Sequence, residues 1–206
     1  MRYLLKTEVL KVNPARADKK SISRAARILR GGGLVAFPTE TVYGLGANLL
    51  NKRAIDRLYR VKNRPKAKPF TVHISDLKMV ERLGCHMSKK AEALVGRFWP
   101  GPLTIILKSK GGRKIGFRMP DNKVALELIK RSGCPVAAPS ANLSGRKPPK
   151  SAEEVLRDLD GRIDLLLDAG RTRVGIESTV MDLTSRPPKV LREGAIKSRV
   201  LLEATS

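Results

Sequence analysis

The chain has 206 residues, 41% hydrophobic and 30% charged, with 42 Lys and Arg against 19 Asp and Glu for a formal net charge of +23. That length can bury one good core, and the apolar share excludes a disordered chain. Runs such as Leu34 to Phe37 and Leu103 to Leu107 are too short to cross a bilayer.

Met1 to Leu10 carries Arg2, Lys6 and Glu8 and no apolar stretch before a cleavage site, so no signal peptide is expected. Ile22, Ala25, Ala26 and Leu29 share one helical face, ended by Gly31 to Gly33. Leu34 to Phe37 reads as a buried strand stopped by Pro38. Ala54, Ile55, Leu58 and Tyr59 predict a second helix, and Phe70 to Ile74 a second strand. Ala91, Leu94, Val95 and Phe98 repeat the helical spacing before the breaker Trp99-Pro100-Gly101-Pro102, and Thr104 to Leu107 is β-rich. Ala125, Leu128 and Ile129 predict a helix closed by Gly133, then a strand at Val136 to Ala138. Ser151 and Glu154 form a capping box ahead of Val155, Leu156 and Leu159. Late strands follow at Leu165 to Leu167, Thr179 to Leu183 and Val190 to Leu191. Strands alternating with helices predict an α/β layered fold with a mixed sheet, and no low-complexity linker divides it. One domain over residues 1–206 is the simplest account.

Cys85 and Cys134 lie far apart and form no C-x-x-C pair, which argues against a disulfide framework or zinc site and fits a reducing cytoplasm. The cationic excess attracts phosphates, in a nucleotide or a polynucleotide, or it is simply a solvated surface. Glutamine is absent, as in some heat-adapted proteins.

The candidate chemistry lies where strands end, since ligands of open α/β sheets bind beyond strand carboxyl ends. Pro38 to Gly46 holds two threonines, Glu40, Tyr43 and two glycines that permit close backbone approach, or it is an ordinary turn. Lys62, Arg64, Lys66 and Lys68, stiffened by Pro65 and Pro69, suit phosphate oxygens. His73 lies inside a strand, the usual place of a hydrogen-bonded core histidine. Arg118 before Met119-Pro120 can hold a carboxylate bidentately or form a structural ion pair. Ala137 to Gly145 supplies small, hydroxyl and amide groups, and Gly175 to Thr179 and Arg192 follow late in the chain. No phosphate loop G-x-x-x-x-G-K-[ST], dinucleotide fingerprint, H-E-x-x-H or G-x-S-x-G occurs. Nucleophilic Ser-His and metal-centred chemistry are thus poorly supported. Positioning and charge neutralisation, as in nucleotidyl transfer, fit better.

In order along the chain, Phe37-Pro38-Thr39-Glu40-Thr41-Val42-Tyr43-Gly44-Leu45-Gly46, Lys62-x-Arg64, Trp99-Pro100-Gly101-Pro102-Leu103-Thr104, Arg118-Met119-Pro120, Ser140-x-Asn142 and Ser178-Thr179 resemble the Sua5/YciO/YrdC family, specifically its threonylcarbamoyl-AMP synthases. The likeness runs from about Lys20 to Gly194. It implies a YrdC-like twisted mixed sheet, helices packed on it, around a basic concave cavity. It implies conversion of L-threonine, bicarbonate and ATP to threonylcarbamoyl-AMP and pyrophosphate, with Mg²⁺ carried by the nucleotide and no protein metal site. A tRNA threonylcarbamoyl transferase would then use the product to modify adenosine 37 of tRNA, all in the cytoplasm and without a membrane.

Carried over by motif, Arg64, Lys68, Ser140 and Arg192 would meet ATP, with Lys114 placed only by its distance from Arg118. Lys62, Arg64, Ser140 and Asn142 would be catalytic. Thr41, His73, Arg118, Ala138 and Ser178 would surround threonine, Arg118 on its carboxylate. Asn122 stands where many members have His, and the chain stops soon after Gly194, as in the family's short form. Two rivals stand beside this reading. An RNA-binding protein acting on tRNA or ribosomal particles fits the charge, though aromatic content is 4%. A carbamoyl-adenylating domain of hydrogenase-maturation type shares the fold but would be expected with C-x-x-C pairs.

Overall fold

Side-chain caps set where the helices begin. In the computed structural model, which describes residues 6–14 and 18–204, Asp18 accepts from the amides of Lys20 and Ser21 and opens α1, Lys19–Arg30. Asn51 does the same for α2, Lys52–Lys62, Ser88 for α4, Lys89–Phe98, and Asn122 for α5, Lys123–Ser132. Asn122 therefore has a structural use as a cap. Ser151 caps α6, Ala152–Leu159, but Glu154 reaches one residue further back than a capping box requires and accepts from the amide of Lys150 at 2.7 Å. Two short helices, α3 at Lys78–Arg82 and α7 at Ser198–Glu203, carry no periodic apolar signal and were not foreseen. The absence of a leader, read from Met1 to Leu10, rests partly on residues 1–5, which lie outside the described residues.

Ten strands form one sheet among the described residues. They are β1 Glu8–Lys11, β2 Val35–Phe37, β3 Gly44–Asn48, β4 Val72–His73, β5 Leu103–Lys108, β6 Lys114–Arg118, β7 Val136–Ala137, β8 Leu165–Asp168, β9 Thr179–Asp182 and β10 Lys189–Arg192. Their order across the sheet is β1-β8-β2-β3-β7-β4-β6-β5-β9-β10. The pairs β1–β8, β8–β2, β4–β6 and β5–β9 are parallel and the others antiparallel, so the sheet is mixed, as expected. Strand alternation divides the core. Val35 and Phe37 of β2 pack with Ile22, Leu29 and Leu128 on one face, while Ala36 packs with Leu58, Val155 and Leu166 on the other. Helices thus cover both faces, and both need apolar strand residues.

The glycines of Pro38 to Gly46 serve this packing. Gly44 and Gly46 belong to β3, and a Cβ on Gly46 would sit 3.0 Å from both Phe37 and Val136. The close approach they allow is between neighbouring strands.

Candidate active site

Arg118, the last residue of β6, lies in register with His73 of β4 and is 4% exposed. Its guanidinium is held on two sides. Nη2 donates to Thr41 Oγ1 at 2.8 Å, and Nε donates to the Gly101 carbonyl at 3.3 Å. That carbonyl is presented by the Trp99 to Pro102 turn, where Gly101 N donates to Met119 O and Trp99 Nε1 to Leu103 O. Glu40 Oε1 lies 2.8 Å from Nη2 in a close ion pair whose direction is poorly aligned with the N–H bond. The contact is therefore charge against charge. Burial lowers the Arg118 pKa and Glu40 partly offsets it.

Hydroxyl protons near Arg118 can be assigned by counting. Thr39 Oγ1 donates to Val42 O at 2.7 Å, so in its 2.8 Å contact with Thr41 the donor is Thr41. Thr41 then offers any further partner only a lone pair. His73 is held neutral, its pKa well below the usual histidine range through burial and then Arg118, and its Nδ1 is buried without a hydrogen-bond partner.

A second group sits at the start of β9. Ser178 Oγ and Thr104 Oγ1 of β5 are 2.9 Å apart. Arg192, ending β10, donates through Nη2 and Nε to Ser178 O at 2.9 and 3.2 Å, and pairs with Glu177 Oε1 at 2.8 Å. Gly194 is needed here because a Cβ would lie 2.2 Å from Glu177 O.

The third group surrounds the end of α2. Lys62 is the last helical residue rather than a loop cation, and it is 2% exposed. Its ammonium donates to the carbonyls of Ser140 and Asn142, at 2.5 and 2.6 Å, and burial brings its pKa down to about 8. Asn63 takes the left-handed conformation, φ 50°, and turns the chain into the cationic loop. There Arg64 donates to the carbonyls of Lys68 and Pro69 and stacks over Phe70. Asn142 Nδ2 donates to Arg146 O, while its Oδ1 is buried without a partner.

These groups meet in a cleft with two adjoining lobes. The inner lobe, about 110 Å³, is lined by Arg64, His73, Thr104, Arg118, Ala138, Ser140, Glu177, Ser178 and Arg192, among others. The outer lobe, about 290 Å³, adds Lys62, Lys68 and Asn142 and shares Arg64, Ser140, Glu177 and Arg192. Two expected site residues lie elsewhere. Lys114 lines neither lobe. It begins β6, its side chain 60% exposed, and pairs with Asp182 at 2.9 Å, because four strand residues carry it away from Arg118. Thr41 is fully buried behind Arg118 and lines neither lobe. Glu40, Thr104 and Glu177 carry no individual role from the sequence, although they lie within Pro38 to Gly46, Trp99 to Thr104 and Gly175 to Thr179. Their isolated polarity between apolar or hydroxyl neighbours was the available signal. Among the described residues no three His, Cys, Asp or Glu gather as metal ligands, and no helix is long and apolar enough to cross a membrane.

The Sua5/YciO/YrdC family model, which carries the description "Telomere recombination", matches residues 27–194. The chain belongs to this family. A relative named threonylcarbamoyl-AMP synthase from Pyrococcus abyssi (strain GE5 / Orsay) is 46% identical over 190 residues, covering 88% of this chain and 56% of the relative. One of the same name from Bacillus subtilis (strain 168) is 48% identical over 185 residues, covering 85% and 54%. The chain spans about half the length of these curated family members. In three dimensions it matches the crystal structure of P. abyssi Sua5 complexed with L-threonine, with a TM-score of 0.91 and 43% identity over 96% of this chain and 61% of that one. The fold is therefore the YrdC-like mixed sheet that the motifs implied.

Proposed function

We propose that this chain, as a single YrdC-like unit, is an L-threonylcarbamoyladenylate synthase, a nucleotidyltransferase that uses L-threonine, bicarbonate and ATP. The observation that carries the reading is that Arg64, Arg118, Ser140 and Ser178, from four separate stretches of chain, line one lobe of a cleft. The family's synthases add the reaction, and a relative's complex with L-threonine adds the amino acid.

The inner lobe suits a small zwitterion. Arg118 takes its carboxylate, with Ser178, His73 and Ala138 around it, and Thr41 acts through Arg118. The outer lobe suits a triphosphate, with Arg64, Lys68 and Arg192 beside the phosphates and Ser140 and Asn142 near the α-phosphate. Lys62 holds the Ser140–Asn142 loop in place and keeps positive charge behind it. The threonine amine, once deprotonated, adds to carbon dioxide and loses a proton to solvent, or condenses with bicarbonate and loses water, giving a carbamate. A carbamate oxygen attacks the α-phosphorus, the bond from that phosphorus to the β-bridging oxygen breaks, and pyrophosphate departs. The cations stabilise the charge gathering on the leaving group. Among residues lining the cleft the carboxylate is Glu177, already paired with Arg192, so the donor set fits Mg²⁺ arriving on the triphosphate. Bound there, Mg²⁺ would add further charge neutralisation. The product would pass to a tRNA threonylcarbamoyl transferase in the cytoplasm.

The test is pyrophosphate release from purified protein given ATP, bicarbonate and one of several amino acids. Release should require threonine, and release indifferent to it overturns the substrate. Arg64→Ala should weaken nucleotide binding or turnover about tenfold to a hundredfold, the worth of a hydrogen bond to a charged group.

A further inference from the structure

A buried ion pair commonly fixes an arginine, yet Glu40 does not aim Arg118. The aim comes from Gly101 O on Nε and Thr41 Oγ1 on Nη2, both hydrogen bonds. Glu40, its side chain 2% exposed, stands 2.8 Å from Nη2 but poorly aligned with its N–H bond, so it adds charge more than direction. What it supplies is negative charge in a place shut off from bulk solvent. Arg118 also lines the inner lobe, and its hydrogen bonds to the described residues run through Nε and Nη2, with none through Nη1. An arriving carboxylate thus meets a guanidinium that already has a counter-ion. Arg64 and Arg192 also line the lobe, but both carboxylates would lie against the Arg118 guanidinium, and like charges held that close repel strongly.

We propose that Glu40 is a resident competitor of the ligand carboxylate, an affinity-setting residue that acts through Arg118. Unliganded, it keeps a buried guanidinium from standing uncompensated, which would be strongly destabilising. Liganded, it keeps the inner lobe from holding a carboxylate too tightly to release. Its identity as a threonine lobe rests on the function proposed above, but the competition does not.

The test compares wild type with Glu40→Gln, which keeps the shape and removes the charge. Calorimetry with L-threonine should give at least tenfold tighter binding to the variant. L-threonine amide, which lacks the carboxylate, and ATP should bind both proteins alike. The unliganded variant should melt at a lower temperature. Unchanged or weaker threonine binding in a folded variant overturns the proposal. If Glu40→Gln does not fold alone, it is refolded with saturating threonine or with the amide. Recovery with threonine only supports the competition, whereas recovery with both or with neither overturns it. Should wild type bind no threonine, the substrate reading fails, and acetate then becomes the probe. Tighter acetate binding by the variant still supports Glu40 as competitor, and equal binding removes it.

Discussion

Lys62 is a cation whose surroundings work against its charge. Burial pushes its pKa in the folded protein down to about 8, from the ordinary lysine value of 10.5. Between those values the unfolded chain holds a proton that the folded one has released, so unfolding becomes harder as pH rises through that window. In Lys62→Met this increment disappears. Urea unfolding from pH 8 to 10 should therefore show wild type gaining about 2 kcal/mol relative to the variant. A constant difference would refute the buried-lysine account. Below pH 8 the gap should be flat. Lys114 is the opposite case, exposed and paired with Asp182, and such pairs are worth about 0–1 kcal/mol. Lys114→Ala should leave the Michaelis constants for ATP and threonine within about twofold, a change small against the tenfold step of 1.4 kcal/mol. A tenfold rise in the ATP constant would return Lys114 to the nucleotide site. Residue type and spacing indicated that cations gather here. They could not say which cation turns toward which carbonyl, since Ser140 O and Lys62 Nζ are brought together from 78 positions apart.

Elements with a strong apolar period were readable within about three residues, α2 running on to Lys62 beyond the apolar stripe that ends at Tyr59. For α1 the stripe Ile22, Ala25, Ala26 and Leu29 is the buried face, and Gly32, at φ 89°, follows its end. β3 was not readable. Gly-Leu-Gly-Ala-Asn has low strand propensity, and only the bulk of Phe37 and Val136 on its neighbours makes a glycine strand the right fit. The edge strand β1, ahead of the first helix, also escaped notice, being short and charged. Crowding predicts the next outcome. Gly194→Ala puts a methyl 2.2 Å from Glu177 O, so the 177–178 turn must shift. Because Arg192 and Ser178 are joined across that turn, threonine and ATP affinities should both fall at least tenfold, about 1.4 kcal/mol, while the protein remains folded. Unaltered affinities, measured by calorimetry, would mean that the turn does not shape the cleft.

At the scale of the molecule the net charge of +23 makes a field beyond any single pair. Such a field draws ATP but does little for a zwitterion, and salt screens it over about 8 Å at physiological ionic strength. Raising NaCl from about 20 to 300 mM should lower kcat/KM for ATP severalfold and leave the threonine constant nearly unchanged. Equal effects on both would place the influence of the charge elsewhere. The α/β class was legible because alternation and breakers are local properties. The expected carboxyl-end position holds for Arg118 and Arg192 but not for Thr104 and Ser178, which sit at the amino ends of β5 and β9 in the mixed sheet. The division into two lobes was not legible, because it depends on sheet order, in which β7 lies between β3 and β4.

That order has a consequence for how the protein is made. Arg192 belongs to β10, the strand added last to its edge of the sheet in sequence, whereas Lys62 and Arg64 are synthesised far earlier. A nascent chain whose β10 has not paired with β9 owns only half a cradle. Nucleotide and amino acid would then favour the finished molecule over every partial one, acting as late-stage inspectors of assembly.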